Sequence, residues 1–153
     1  MFLESRGDVY YYLLTLGLTP PVAQETVQEV FLKLYLAMRD GPTIENPRAW
    51  VFRVAHNTGL NVRAGERRME PLPEVAPPVS PARNPEEEMA ERERERRLQA
   101  AVAELSPQQR QCLHLRAEGL RYHEIAAALG VSVSTVNEFV RRAVRKLKKV
   151  VHA

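Results

Sequence analysis

Apolar and polar positions divide the chain into helical blocks separated by proline and glycine breaks. Val9–Leu18, VYYYLLTLGL, is dense in apolar and aromatic residues, and its length and leucine content predict a buried helix rather than a strand. The short polar segment Met1–Asp8 either frays or begins that helix. Gly17 and Thr19-Pro20-Pro21 end it and start the next. Val22–Arg39 is amphipathic: Val27, Val30, Phe31, Leu34, Tyr35 and Met38 fall on one face. Gln24, Glu25, Gln28, Glu29 and Lys33 fall on the other, where Leu32 and Leu36 also stand. That mixed face suits a protein-binding surface; ordinary exposure of isolated apolar side chains explains it as well. After an Asp40-Gly41-Pro42 turn, Asn46 caps a helix and Pro47 takes its first position. The helix runs through Arg48–Ala64 and carries Trp50, Phe52, Val54, Ala55 and Leu60. Gly59 inside it costs about 1 kcal/mol relative to Ala, which a close approach would justify and simple tolerance would also allow.

The second half begins with Glu86–Leu98, EEEMAERERERRL, whose alternating acids and arginines predict an exposed helix with i,i+4 pairs. Leu98, Val102 and Leu105 lead into a second module. Ser106, Pro107 and Gln109 form a capping-box start; Cys112, Leu113 and Leu115 give that helix a buried side, and Gly119 ends it. A short helix follows over Tyr122–Leu129, with Ile125, Ala126 and Leu129 inward, and Gly130 breaks the chain. Ser132 caps a third helix whose apolar positions are Val136, Val140, Ala143, Val144 and Leu147. Two short helices, a glycine turn and a longer basic helix make a helix-turn-helix pattern. Ser134, Thr135, Asn137, Glu138 and Arg141 stand at the exposed start of the last helix, hydrogen-bonding types suited to base edges and phosphates. Arg142, Arg145, Lys146, Lys148 and Lys149 follow. The plainer alternative is a three-helix bundle with a solvated basic tail.

Composition sharpens this picture in three ways. The net charge of +3 hides an asymmetry: from Ser106 to Ala153 nine basic residues face three acids, as a phosphate-binding surface requires. The single cysteine, Cys112, excludes an internal disulfide and a cysteine-based metal site, and reads as a small core residue. His56, His114, His123 and His152 lack metal-ligand spacing with carboxylates, and no Gly-rich phosphate loop is present, so neither cofactor, metal nor catalysis is expected. No apolar run is long enough to span a bilayer and no signal peptide opens the chain, which predicts a cytoplasmic protein. From Arg48 to Arg68, the bases Arg48, Arg53, Arg63, Arg67 and Arg68 oppose only Glu66. Trp50 beside arginines, His56, Asn57 and Asn61 fits a single-strand-binding surface, although a lone helical Trp is usually core.

The expected fold is all-α: two small helical domains, 1–68 and 86–153, joined by a Pro-rich linker at 69–85. Pro71, Pro73, Pro77, Pro78, Pro81 and Pro85 favour an extended, semi-rigid path there. On that basis the free chain should sample several interdomain arrangements.

Glu25–Tyr35, ETVQEVFLKLY, with Asn46–Asn57, NPRAWVFRVAHN, resembles region 2 of bacterial RNA polymerase sigma factors of the extracytoplasmic-function (ECF) type. Leu105–Lys149 resembles region 4 of the same family. The C-terminal pattern alone is shared with LuxR-type regulators; both halves in this order are far more specific. The resemblance implies a non-enzymatic factor that binds core RNA polymerase and promoter DNA, with an anti-sigma factor as a further partner and no membrane insertion. By position it implies a polymerase-clamp face of Glu25, Gln28, Glu29 and Leu32. Arg53, His56, Asn57, Asn61 and Arg63 would meet the minus-10 element. Arg121, Ser134, Thr135, Asn137, Glu138, Arg141, Arg142 and Arg145 would meet the minus-35 element. It also implies that the chain begins directly at region 2, without the N-terminal extension of primary sigma factors.

Three departures stand out. Asn137-Glu138-Phe139 replaces the family's usual Lys-Ser-Arg, Arg121 replaces a common Ser or Thr cap, and Thr26 replaces a usual Leu. A carboxylate at Glu138 repels phosphate but can accept from a cytosine amino group. Two other functions fit parts of the chain. One is a stand-alone LuxR-type regulator binding duplex DNA. The other is a sigma mimic that sequesters an anti-sigma factor.

Overall fold

Prolines punctuate the structure, a computed structural model that describes residues 2–41, 43–66 and 84–151. Its helices are α1 (Phe2–Thr15), α2 (Pro20–Asp40), α3 (Pro47–Glu66), α4 (Pro85–Glu104), α5 (Pro107–Ala117), α6 (Tyr122–Leu129) and α7 (Val133–Val151). Pro20, Pro47, Pro85 and Pro107 each occupy a first helical position, where a missing N–H removes no intrahelical bond. Side-chain caps sit just before three of them. Asn46 Oδ1 accepts from the Ala49 N–H at 3.3 Å, Asn84 Oδ1 from Glu87 at 2.8 Å and Ser106 Oγ from Gln109 at 3.1 Å. Gln109 Oε1 returns the last bond to the Ser106 N–H at 3.3 Å, completing the expected capping box. Ser132 Oγ caps α7 through the Thr135 N–H at 3.1 Å. The helix-turn-helix turn rests on Gly130, whose φ of 71° lies in the left-handed region a side chain disfavours.

The first three helices pack on one another around Val9, Tyr12, Leu13, Leu16, Val30, Leu34 and Phe52, all buried. Gly59 lies at the crossing of α3 with α1. A Cβ there would sit 2.8 Å from Leu13 Cδ2 and 2.9 Å from Leu16 Cδ1, so the close approach is real. The amphipathic reading of α2 needs one correction. Val27, Val30 and Leu34 are buried, but Tyr35 and Met38 are 61% and 51% exposed. The 21-residue α2 outlasts the 14-residue α1 it packs on, so its last turns carry these side chains beside Arg6 at the open end.

In the second half α7 lies across α4, α5 and α6, and Cys112, Leu115, Leu120, Ile125, Val136 and Val140 close its core. Helix α4 extends to Glu104, past the expected end at Leu98, because its last turns rest on α7 through Ala101. Most of the proline-rich stretch, 69–83, lies outside the described residues.

In this structure the two halves are in contact. Helix α3 packs on α6, and one buried cluster runs from Val9 to Val140. The contact is built from single side chains. Arg48 Nε donates to the Glu118 carbonyl oxygen at 2.9 Å, and its Nη2 to the carboxylates of Glu118 and of Asp8, the latter at 3.0 Å. Asn46 Nδ2 donates to Glu124 Oε2 at 2.7 Å. The Tyr12 ring meets His114 edge-to-face with centroids 5.1 Å apart. No helical periodicity encodes such pairings, so a sequence pattern presents two independent units.

Candidate nucleic-acid interface and docking face

Three exposed surfaces carry the residues expected to act. On α2, Glu25, Gln28, Glu29 and Leu32 are all exposed and, three or four positions apart, share one face. Leu32 is 57% exposed and Leu36 extends the apolar stripe. Lys33 borders it, 3.4 Å from Glu29 and donating to Thr58 Oγ1 at 3.3 Å, which pins the edge of the face to α3. An exposed leucine ringed by carboxylates and amides can dock protein.

On α3, Arg53, Asn57 and Asn61 are exposed at i, i+4, i+8, a straight stripe of hydrogen-bonding groups. Leu60 is exposed beside them, and the half-buried Arg63 lies over Gly17. His56 does not join this stripe. It is buried, with Nδ1 2.7 Å from Tyr12 Oη, and its ring faces inward. Burial pushes the imidazole below its ordinary pKa and the Tyr12 phenol well above its own. Both groups are therefore neutral and share one hydrogen bond, whose direction follows the histidine tautomer. The expectation that His56 approaches DNA is corrected on this ground: the residue fastens α3 to α1. The i+3 and i+4 pattern does not locate Tyr12, 44 residues away.

On α7, Ser134, Asn137, Glu138, Arg141, Arg142 and Arg145 are exposed, and Thr135 is half-buried with its hydroxyl 2.8 Å from Ser132 Oγ. Asn137, Glu138, Arg141, Arg142 and Arg145 line one shallow depression of about 390 Å³. Glu138 Oε1 lies 2.5 Å from Arg142 Nη2. That exposed pair couples the carboxylate to Arg142, and Arg141 and Arg145 stand exposed beside it. Phe139 packs against the core rather than facing out. Arg121 is exposed at the start of α6, where Glu124 Oε1 accepts its backbone N–H at 2.8 Å. Half a capping box thus replaces the missing Ser or Thr cap.

These side chains suit two different nucleic-acid forms. The α7 surface, at the N-terminal end of a helix presented by a turn, has the shape that enters a major groove. The α3 stripe, beside the half-buried Trp50, offers amides and a guanidinium to unpaired bases. Among the described residues no three His, Cys, Asp or Glu side chains converge to hold a metal ion, and none of the helices is long and apolar enough to cross a membrane.

Residues 1–69 match the family described as Sigma-70 region 2, and residues 95–147 match Sigma-70, region 4. The chain belongs to the sigma-70 family. The relatives it matches include ECF RNA polymerase sigma factors. The ECF RNA polymerase sigma factor SigE of Mycolicibacterium smegmatis is 35% identical over 134 residues, 82% of this chain and 50% of that protein. The ECF RNA polymerase sigma factor SigK of Mycolicibacterium vanbaalenii is 22% identical over 151 residues, 95% of this chain and 77% of that protein. The chain therefore spans half the length of the first of these relatives and about three quarters of the second. Two solved structures share the fold. Sigma factor RpoE from Bartonella quintana, in complex with the anti-sigma factor NepR, superposes with a TM-score of 0.67 at 19% identity, covering 99% of this chain and 94% of that one. CnrH, in complex with the cytosolic domain of CnrY, gives 0.61 at 22% identity, covering 95% and 81%. In this sigma factor the region 2 match takes in α1, α2 and α3, and the region 4 match holds the helix-turn-helix. Arg48, Glu118, Asp8 and Tyr12, which join the two, were not legible as a set from the sequence.

Proposed function

We propose that the chain is an ECF-type sigma factor that binds core RNA polymerase and directs it to promoters. The observation that carries this is the order of the two matches, region 2 and then region 4, each ending in an exposed surface of the right chemistry. The α2 face of Glu25, Gln28, Glu29 and Leu32 docks on the polymerase clamp. The α3 stripe of Arg53, Asn57, Asn61 and Arg63 captures unstacked bases of the minus-10 element, and that capture drives strand separation. The α7 surface, with Arg121, reads the minus-35 element in the major groove. Glu138 then favours a base pair that presents a cytosine amino group.

The chemistry of bond formation belongs to the polymerase, and this chain supplies recognition. Each DNA surface is small and binds weakly alone. Held on one enzyme, each raises the effective concentration of the other. An anti-sigma factor is the expected antagonist, since the RpoE structure named above is a complex with the anti-sigma factor NepR. The working compartment is the cytoplasm, where promoter DNA and polymerase reside.

Run-off transcription with purified core polymerase tests this, on fragments that include the gene's own upstream region. Specific transcripts that need the protein are expected. Tight duplex binding by the chain alone, with no polymerase binding and no transcript, would instead favour a stand-alone regulator. That reading leaves the region 2 match without a role.

A further inference from the structure

We propose that Lys33 is a positioning residue for strand capture, tying the docking face of α2 to the turn of α3 that carries Asn57 and Asn61. The inference rests on the promoter-binding function above.

Lys33 stands between two groups that belong to different surfaces. Its Nζ lies 3.4 Å from Glu29 Oε1, a carboxylate of the α2 face, and donates to Thr58 Oγ1 of α3 at 3.3 Å. Glu29 and Lys33 are one helical turn apart, so the first contact is local and the second crosses from helix to helix. The ion pair is half exposed on both sides, and such a pair alone contributes little. Thr58 differs: it is buried, and it directly follows the exposed Asn57. On the helical period Thr58 lies roughly 60° round α3 from Asn61 and roughly 100° from Asn57, at the border of the stripe. The ammonium thus grips α3 at the edge of the groups that would capture bases.

The setting of that turn needs such a grip. The next residue, Gly59, brings α3 close to α1 and has no side chain to lock against it. The crossing therefore fixes the separation of the two helices more firmly than the rotation of α3 about its own axis. A rotation of about 10° carries an amide held about 6 Å from the axis through about 1 Å. Misplacing a capturing group by that much is costly in rate. Lys33 can resist it, because its long stem crosses from α2 to α3 and its three N–H donors serve Glu29 and Thr58 together. A protein docked on the α2 face would exclude water from the edge beside Glu29, which strengthens the bond to Thr58. Polymerase binding would then firm the capture stripe without touching it.

The test compares strand opening with polymerase binding, using the holoenzyme on a promoter found by run-off transcription and carrying a fluorescent base in its minus-10 element. Thr58→Val keeps the shape of the side chain and removes the acceptor. It should slow opening by about five- to tenfold, the worth of one charge-assisted hydrogen bond that is partly solvated. The half-saturating concentration of polymerase should stay within about twofold, since no residue of the docking face changes. On a template whose minus-10 strands are mismatched and already apart, the deficit should largely vanish. Thr58→Ser restores the hydroxyl and should open near the wild-type rate. Lys33→Met should match Thr58→Val, and the two together should lose no more than either alone, with helix content unchanged by circular dichroism. Opening by Thr58→Val at the wild-type rate, an equal deficit on both templates, or losses that multiply in the double variant overturn the role of Lys33. A wild type that yields no polymerase-dependent transcript overturns the promoter reading itself, and the role with it.

Discussion

Gly59→Ala sets two known effects against each other at one position. Alanine is the better helix former and should gain about 1 kcal/mol in a helix interior. The added methyl, however, would meet Leu13 Cδ2 at 2.8 Å and Leu16 Cδ1 at 2.9 Å. Both contacts are ends of leucine side chains, which move when there is space. There is none here, because Leu13 and Leu16 are 0% and 1% exposed. Forcing a methylene-sized group into a filled core costs about 1–3 kcal/mol. The clash should therefore win, with a net loss of about 1 kcal/mol. Gly7→Ala is the control: nothing lies within 4 Å of its Cβ position in α1, so propensity acts alone and should stabilise by about 0.5–1 kcal/mol. Urea unfolding followed by circular dichroism separates the two, since their midpoints should move in opposite directions. Gly59→Ala with Leu16→Val should recover part of the loss by coupling at one contact. If Gly59→Ala stabilises as much as Gly7→Ala, the account of the α1–α3 crossing is wrong.

Four further outcomes are expected. Tyr12→Phe leaves the buried His56 Nδ1 without its hydrogen-bond partner and should cost about 1–3 kcal/mol in the same unfolding assay. Burial lowers the pKa values of His56 and His114, so the unfolded chain binds more protons as acid is added. Stability should be level above the unfolded value near 6.5 and fall as pH drops from there through the folded values; Glu118, shifted upward, acts in the opposite sense nearer the carboxylate range. Thermal melts from pH 8 to pH 5 check this, and a rising melting temperature on acidification would contradict it. Leu32→Asp should weaken polymerase binding about tenfold in a fluorescence titration while moving stability by less than about 0.5 kcal/mol, because the side chain is exposed. Arg141→Ala should reduce the salt dependence of promoter binding by about one unit of slope, measured with the holoenzyme, as the loss of one phosphate contact requires.

Helix starts and the helix-turn-helix were readable because local chemistry decides them. Ser106, Gln109 and Gly130 do in the structure what their spacing implied. The exposed faces of α2 and α7 were equally plain, since a helical period assigns a residue to a side. What the period cannot assign is the partner of a side. Tyr35 and Met38 were placed on the buried face by phase, and they are exposed because α1 ends before covering them. His56 shares its helix with Arg53, Asn57 and Asn61, and the tyrosine that meets it lies 44 residues away, beyond the reach of a helical period. Arg48 was counted with the basic residues of its helix, and its use as a tie to Glu118, 70 positions on, depends on how two packed units meet.

The packing of α3 on α6 has an optical consequence. Trp50 is the chain's single tryptophan, and it lines a groove with residues from both halves of the molecule. Intrinsic fluorescence excited at the indole therefore watches that contact without any label. Separation of α3 from α6 would bare the ring to water, shifting its emission to the red and admitting iodide as a quencher. Promoter DNA, which carries no indole, can then be tested by whether it dims or spares that emitter.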